Sequence, residues 1–298
     1  MTIIVPPIKC QGIKTKLVPT IQTCLPAHID GTWIEPFCGS CVMVLNVRPE
    51  RALLTDTNQH IINFYHGIQH GEITASYVRQ FLEQEGHTLA RDGEEHYYRV
   101  RTRFNATHSP LDFLFLSRAC FNGVMRFNKR GDFNVPFCRK VERFSPAYIT
   151  KIVNQVKRFS EVVRDRDWRF EVRDFRQTLR ATTPDDFVYA DPPYIGRHVD
   201  YFNAWNEIDE QDLVASLGEL PCNFILSTWH SNIYRENAFL QANWQTERFS
   251  MHTIEHFYHV GATEELRNAI REAIVANYVL PRLQTSPNSG QTDRVDVS

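Results

Sequence analysis

The stretch Asp191-Pro192-Pro193-Tyr194 contains the residue types needed to grip an amino group on a flat heterocyclic ring. Asp191 can accept a hydrogen bond from an exocyclic N–H, and the carbonyl of Pro192, held by a stiff backbone, can accept a second one. Tyr194 offers a flat face on which a ring can stack. Holding both N–H bonds makes the lone pair of that nitrogen available to attack an electrophilic methyl group. Taken alone, the same letters fit a proline-rich turn with a helix cap equally well, so the rest of the chain has to decide.

The element that must position this stretch is the apolar run before it, Phe187-Val188-Tyr189-Ala190. A short, continuously apolar run predicts a buried parallel strand. Since prolines cannot continue the interior of a sheet, the strand must stop at Asp191. Ligands of open α/β sheets bind just beyond the carboxyl ends of strands, which is where Asp191 and Tyr194 would lie.

A second strand–loop–helix unit precedes it. Thr32–Phe37 is predicted as a strand, 38–40 as a loop of small residues, and Val42–Val47 as the following helix, an arrangement that lets a ligand approach the backbone. Arg51–Asp56 predicts another strand, and its terminal acid lies about 20 residues after the first strand, a spacing that suits a carboxylate bonding ribose hydroxyls. Asp56 could equally cap the next helix, and the two roles are compatible.

Two short motifs suggest metal or redox chemistry, and both are weak. Cys38-x-x-Cys41 has no second cysteine pair at zinc spacing, and cysteine also serves as a small apolar filler. His256-x-x-His259 has no evident third ligand. We therefore predict no metal site. Seven cysteines in a chain too long to need disulfide staples predict a reducing cytoplasm.

Composition excludes some classes of protein. The chain has 298 residues, 42% of them hydrophobic, which supports a sizeable core, and its longest apolar runs are too short to span a bilayer. The N-terminus shows no signal peptide. The net charge of −2 does not indicate nucleic-acid binding, but residues 118–143 carry seven basic and two acidic side chains. Aromatic and amide residues are interleaved with these charges, as contact with phosphates and bases requires.

The order of the predicted elements indicates an α/β doubly wound sheet interrupted by an insert. Residues 66–120 look helical and polar, residues 121–144 look like a loop or hairpin, and helical periodicity and strands resume from 149. We predict the first part of a catalytic domain at 1–65, a recognition domain at 66–148, the second part of the catalytic domain at 149–283, and a disordered tail at 284–298.

Several stretches together resemble one family, the S-adenosylmethionine-dependent DNA adenine-N6 methyltransferases of the Dam type (α group, D12). Glu35-Pro36-Phe37-Cys38-Gly39 resembles their cofactor motif, Asp191–Tyr194 their catalytic motif, and 121–137 their target-recognition hairpin. The order of these motifs also matches, and the resemblance covers roughly residues 5–280. It implies a Rossmann-like methyltransferase sheet with a mostly helical recognition insert carrying a hairpin loop.

The resemblance implies roles for individual residues. Asp191 and the Pro192 carbonyl, with Pro193 beside them, would hold adenine N6, and Tyr194 would stack on the flipped base. The residues that would bind S-adenosylmethionine lie in the N-terminal lysine turn, in the cofactor motif and at the ends of later strands. They are Cys10 (where many relatives have tryptophan), Lys14, Glu35, Pro36, Phe37, Gly39, Ser40, Asp56, Asp174, Phe175 and Asp191. Double-stranded DNA would be contacted by Lys9, Arg118, Phe121, Asn122, Arg126, Asn128, Lys129, Asn134, Pro136, Arg139 and Arg197.

The resemblance also implies a partner set and a target. It implies a protein in the cytoplasm of a bacterium, or one encoded by a phage, that acts on duplex DNA without a membrane. We expect a monomer, since one catalytic and one recognition domain suffice. A cognate restriction endonuclease would share the site without a stable complex. Residues 192–202 and the N-terminal stretch are similar to a family member that methylates GATATC, which makes that sequence, or a related one beginning with GA, a candidate target.

Three alternative functions stay open. Cytosine-N4 methylation uses a similar grip, although such relatives more often carry Ser where this chain has Asp191. A catalytically inactive DNA-binding module would not need the intact 191–194 set. Methyltransferases of protein amides prefer Asn at the first position and would not need the basic insert.

Overall fold

The computed structural model of the chain describes residues 2–10, 12–194, 205–231, 235–257 and 269–282. In these residues seven strands form one sheet: β1 Trp33–Glu35, β2 Arg51–Asp56, β3 Asp167–Val172, β4 Phe187–Ala190, β5 Asn223–Ser231, β6 Ser250–Phe257 and β7 Ala269–Ala276. The predicted strands at 51–56 and 187–190 are confirmed with the same bounds.

Ten α-helices accompany the sheet in the described residues: α1 Val18–Cys24, α2 Val42–Val47, α3 Gln59–Gln69, α4 Ala75–Asp92, α5 Glu94–Thr107, α6 Pro110–Ala119, α7 Pro146–Val163, α8 Phe175–Arg180, α9 Glu207–Gly218 and α10 Ala238–Asn243. Side chains accept backbone N–H groups at the start of several of them. Ser145 caps α7, and Asn206 forms a capping box with Asp209 at the start of α9.

The strands follow the order β3-β2-β1-β4-β5-β7-β6. The pairs β3–β2, β2–β1, β1–β4 and β4–β5 are parallel, and β7 runs antiparallel to both β5 and β6. The chain order reverses between β1 and β4. Such a switch point leaves a crevice beyond the carboxyl ends of the two strands, and Asp191 and the 36–40 loop both follow those ends.

Neighbouring strand residues are buried on opposite faces of the sheet, as the two-residue period of a strand requires. Tyr189 belongs to the larger hydrophobic cluster, which also takes in α3 and α7, whereas Val188 and Ala190 belong to a second cluster with α8 and α9. Helices therefore cover both faces. The α/β doubly wound fold predicted from the sequence is confirmed.

The segment between β2 and β3 contributes no strand to this sheet, and its helices α4–α6 share the larger hydrophobic cluster with the sheet. The predicted domain limits 65/66 and 148/149 fall within α3 and α7, respectively, and they stay predictions. The predicted tail, 284–298, lies outside the described residues.

Candidate active site

Lys14 and Asp191 form a buried ion pair at the end of β4. The Lys14 ammonium lies 2.9 Å from Asp191 Oδ1, and it also donates to the carbonyl of Gly12 at 2.9 Å. The same nitrogen lies 4.8 Å from the centre of the Tyr194 ring. The Lys14 side chain is 3% exposed and that of Asp191 22%. The fold thus brings the lysine turn, residues 12–16, next to the Asp-Pro-Pro-Tyr stretch. In the sequence, Asp191 follows Lys14 by 177 residues.

Burial dominates the electrostatics of Asp191. It raises the pKa of this carboxyl to about 6, and Lys14 opposes the rise while Glu272 adds to it. Tyr194 is buried, and in the preceding strand the hydroxyl of Tyr189 lies 3.0 Å from that of Ser227. Tyr189 and Tyr194 are therefore buried close to Asp191, whose carboxyl is mostly ionised at neutral pH.

The loop after β1 is fixed by backbone hydrogen bonds. The Cys38 N–H donates to the Thr55 carbonyl at 2.9 Å, and the Gly39 N–H donates to Asp56 Oδ2 at 3.0 Å. Asp56 Oδ1 accepts the N–H of Asn58 at 2.8 Å, and Asn58, not Asp56, caps α3. Gly39 has a φ of +44°, and a Cβ placed on it would meet nothing within 4 Å. The space beside Gly39 is thus open for a ligand.

The other small members of this motif face inward. Pro36 and Ser40 are buried, and the Ser40 carbonyl accepts the Tyr65 hydroxyl at 2.6 Å. Glu35 was predicted to contact the cofactor, but its side chain is 2% exposed and accepts the Trp33 indole N–H at 2.8 Å. Burial raises the pKa of Glu35 to about 8, opposed by hydrogen bonds from Trp33 and from the Val44 backbone. Its carboxyl thus supports the loop and the first turn of α2 from within.

Three thiols lie near this loop: Cys38 and Cys41 are buried, and Cys10 is half-buried. Cys38 and Cys41 are buried next to each other, and burial raises the pKa of Cys41 to about 11 and that of Cys38 well above its usual value. Burial likewise raises the pKa of Cys10, which lies near Asp56. Thiols held in this form are unreactive. The described residues include no group of three or more His, Cys, Asp or Glu side chains able to hold a metal ion.

Three aromatic rings meet beside the loop. The Phe37 ring lies 5.3 Å from that of Phe175 and 5.5 Å from that of Trp205, and Phe175 and Trp205 are also 5.5 Å apart. The Trp205 indole N–H donates to the buried Glu210 at 2.6 Å. Sequence reasoning did not find Trp205. It lies in no motif, and only the fold brings it to the ends of β1 and β3.

Asp174 is occupied locally. It accepts the N–H of Arg176 at 2.9 Å as the cap of α8, and its carboxylate lies 3.2 Å from the Arg176 guanidinium. Arg176 also pairs with Asp209 and Asp212, each at 2.7 Å, and its guanidinium lies 4.4 Å from the centre of the Phe175 ring. The predicted cofactor residues Asp174 and Phe175 are thus held in place by one arginine.

The predicted hairpin is present at 126–134. Phe127 and Phe133 form an antiparallel bridge, and the Asn128 side chain accepts the N–H groups of Arg130 and Asp132 at 2.8 and 3.0 Å. Arg126 donates to the Asn134 side chain at 2.8 Å. Asn128, Arg126 and Asn134 therefore organise the hairpin, whereas Lys129 is exposed at its tip.

The hairpin is fixed to α5. The Tyr97 hydroxyl donates to the Val135 carbonyl at 2.8 Å, and the Asn105 side chain accepts the Phe133 N–H at 2.8 Å and donates to the Phe133 carbonyl at 3.2 Å. Phe127 and Phe133 are buried beneath it. One face of the hairpin is therefore anchored to α5.

An exposed aromatic residue precedes the hairpin. Phe121 is 48% exposed although its N–H donates to the Pro136 carbonyl at 2.8 Å. Asn122 and Gly123 follow with φ of 54° and 66°. A Cβ on Gly123 would lie 2.5 Å from Cδ of Lys9, so the N-terminal lysine passes directly over this turn. Lys9, Phe121 and Asn122 are thus brought together.

Arg118 is a correction to the sequence-based assignment. It was predicted to contact DNA, but it is 7% exposed and its guanidinium donates to the Pro7 carbonyl at 3.0 Å and to Gln155 Oε1 at 2.8 Å. A second nitrogen also donates to Pro7. The side chain joins the N-terminal segment to α7 and is almost wholly buried. Helix α6 is buried from Leu111 to Ala119, and that apolar character was the available signal.

The remaining predicted DNA contacts fall in two groups. Pro136 and Arg139 are exposed, and Arg139 has a φ of 59°. Arg197 lies outside the described residues.

In the described part of the chain, no helix combines the length and apolar character needed to cross a membrane.

Comparison with known proteins bears on this geometry. The sequence profile of the D12 class N6 adenine-specific DNA methyltransferases matches residues 11–260. The solved structure of the rRNA methyltransferase AviRa from Streptomyces viridochromogenes covers 88% of this chain and 82% of its own at 11% identity, but its TM-score of 0.35 is too low to carry an argument.

Three relatives illustrate the range of similarity. Type II methyltransferase M.FokI of Planomicrobium okeanokoites is 28% identical over 91% of this chain and 42% of its own length. The DNA adenine methylase of Serratia marcescens is 33% identical over 63% of this chain and 66% of its own length. Type II methyltransferase M1.LlaDCHI of Lactococcus lactis subsp. cremoris is 25% identical over 91% and 94%. This chain spans less than half of M.FokI but nearly all of M1.LlaDCHI. Because the family profile spans most of the sequence, the chain belongs to the D12 class of N6 adenine-specific DNA methyltransferases.

Proposed function

We propose that this protein transfers a methyl group from S-adenosylmethionine to N6 of adenine in a short duplex DNA site. One observation carries the proposal: Asp191 and Pro192 follow β4 and the 36–40 loop follows β1, the two strands that flank the switch point of the sheet, and the space beside Gly39 in that loop is open. The family to which the chain belongs supports the choice of adenine and of DNA.

The target adenine would be flipped out of the duplex, at a cost of roughly a few kcal/mol. Stacking on Tyr194, worth about 1–3 kcal/mol, would offset part of that cost. Asp191 and the Pro192 carbonyl would each accept one N–H of N6 and so point its lone pair along the line of transfer. Asp191 would act mainly by positioning and by stabilising the positive charge that develops on N6.

The cofactor would supply an electrophilic methyl group, so no covalent enzyme intermediate is needed. Its adenosine would lie against the aromatic wall of Phe37, Phe175 and Trp205, and its ribose would bind Asp56, whose two oxygens already accept the N–H groups of Gly39 and Asn58. Glu35, Cys38 and Cys41 would not touch it, because they are buried.

DNA would be read by the face that the anchored hairpin leaves open. We propose that Phe121 wedges into the duplex beside the flipped base and that Lys9 and Asn122 lie next to it. Arg126 would read a base, for example a guanine, through its two-pronged fork, after exchanging its bonds to Asn134 for bonds to DNA. Lys129 and Arg139 would contact phosphates.

The exact target and the biological partners are also proposals. Residues 192–202 resemble the modification methyltransferase of the EcoRV restriction system, so GATATC is the sequence to examine first. A restriction endonuclease of the same specificity would act on the same site without binding this protein. One catalytic face and one recognition face suffice in a monomer acting in the cytoplasm.

The decisive experiment is single-molecule sequencing of genomic DNA from a methylation-deficient host that expresses the wild-type chain or Asp191→Ala. We expect N6-methyladenine in one short motif, and its loss in the variant. N4-methylcytosine instead would contradict the proposed base pocket. Unmodified DNA from a folded, cofactor-binding wild-type protein would favour the DNA-binding module.

A further inference from the structure

The two carboxylate oxygens of Asp191 have different surroundings, and the ammonium of Lys14 contacts one of them. Asp191 Oδ1 is buried and paired with Lys14 at 2.9 Å. Within the part of the chain that the structure describes, Oδ2 makes no hydrogen bond or ion pair, and the side chain as a whole keeps 22% exposure. One oxygen therefore faces the protein and the other remains for a ligand.

We propose that Lys14 is a positioning residue for the catalytic carboxylate, holding Oδ1 of Asp191 so that Oδ2 faces the amino group of the target base. This inference rests on the proposed function. It differs from the role that family resemblance gives to Lys14, which is to hold the end of the cofactor.

The surroundings of Lys14 fix its ammonium in one place. Besides Asp191, it contacts the Gly12 carbonyl at 2.9 Å and lies over the Tyr194 ring, which adds a cation–π attraction. Gly12 adopts a φ of +78°, the left-handed conformation that turns its carbonyl towards the lysine. Three kinds of contact on a side chain that is 3% exposed leave little freedom, so Asp191 is paired with a fixed charge.

The pair also governs the ionisation of Asp191. Burial disfavours the carboxylate, and Glu272, a fully buried residue of β7, disfavours it further. Glu35 and Tyr189 are the other titratable groups whose charges act on or with Asp191. Lys14 is the positive charge that opposes these effects, and with it the pKa of Asp191 is about 6. An opposite charge at this distance lowers a carboxyl pKa by about 1–3 units.

The test is the pH dependence of single-turnover methylation at saturating cofactor in Lys14→Met, with Lys16→Met as a matched control. Lys16 belongs to the same turn but is exposed. In the wild type we expect the rate to fall as pH drops through about 6. In Lys14→Met the fall should begin about 1–3 pH units higher, because the pKa of Asp191 is no longer held down. Lys16→Met should keep the wild-type profile.

One outcome would overturn the inference, and a different one would refute the proposed function. If Lys14 only held the cofactor, Lys14→Met would bind S-adenosylmethionine more weakly by calorimetry, and its pH profile at saturation would match the wild type. A wild-type enzyme that methylates no adenine would instead refute the proposed function, so the two failures are distinguishable.

A second measurement does not depend on activity. Melting temperatures of the wild type, Lys14→Met, Asp191→Asn and the double variant form a thermodynamic cycle. Lys14→Met should lower the melting temperature at pH 7.5 by leaving a buried carboxylate unpaired, and adding Asp191→Asn should recover part of that loss. Additive effects in this cycle would show that the two side chains are not coupled, against the proposal.

Discussion

Replacing Arg118 by methionine separates a structural role from a DNA-binding role. The change leaves two buried acceptors, the Pro7 carbonyl and Gln155 Oε1, without their donor. Each unsatisfied buried acceptor costs about 1–3 kcal/mol, so we expect a loss of roughly 2–5 kcal/mol in the free energy of unfolding. For a chain of 298 residues, whose entropy of unfolding is roughly 0.6 kcal/mol per degree, that loss lowers the melting temperature by about 3–8 °C.

The assay pairs thermal denaturation with the salt dependence of DNA binding, and Arg139→Met is the matched control. Arg139 is exposed in the same basic segment, so its loss should leave the melting temperature unchanged. It should also reduce the slope of log affinity against log salt by about 1, as expected for one phosphate contact. Arg118→Met, measured below its melting temperature, should keep the wild-type slope. A stable Arg118→Met with a reduced slope would refute this reasoning.

Three further changes test other parts of the site. Trp205→Ala should weaken cofactor binding about tenfold in calorimetry, because the ring wall with Phe37 is lost, whereas Trp205→Phe should bind nearly as the wild type does; equal affinities would contradict the cofactor wall. The pKa of Glu35 is about 8 in the folded protein, above its value in the unfolded chain. As pH rises towards 8, the unfolded state therefore gives up this proton first, and the free energy of unfolding falls. Relative to the wild type, Glu35→Gln should therefore gain roughly 3 kcal/mol of stability between pH 5 and 8.5 in urea denaturation, and a constant difference would argue against this. Gly123→Ala should displace Lys9 and lower DNA affinity to that of Lys9→Met while cofactor affinity stays unchanged; full DNA affinity would mean that Lys9 makes no contact there.

The strands of the sheet were predictable from the sequence where a buried strand is also a short apolar run. Strands β2 and β4 are short apolar runs bounded by polar or proline residues, and both were found with their bounds. Strand β6, Ser250–Phe257, was missed. Among the described strands it pairs with β7 alone, at the edge of the sheet, and its residues 250–255 are half-buried or exposed, so no apolar run marks it.

The site was predictable where residues lie in one motif, and less so where the fold brings distant residues together. Asp191 and Tyr194 follow directly from a strand that ends in prolines. Trp205 enters the site only through the packing of α9 against α8, and its partner Phe37 is 168 residues away. A basic residue in a basic segment indicates DNA contact only if it is exposed, and charge spacing alone did not reveal the burial of Arg118.

Burial, more than residue type, decides whether the carboxyl groups of Glu35 and Asp191 are protonated at neutral pH. Burial raises the pKa of Glu35 to about 8 and that of Asp191 to about 6, so at neutral pH the first is mostly protonated and the second mostly ionised. In the proposed reaction, positive charge ends on N6, next to Asp191. A carboxyl that titrates just below neutrality can stabilise that charge and then accept the surplus proton. Without Lys14 the same burial would protonate Asp191 near pH 7, and the N6 amino group would face a neutral acid. In this proposal the lysine turn, which the sequence indicates only as a cofactor contact, would keep the Asp-Pro-Pro-Tyr stretch reactive at neutral pH.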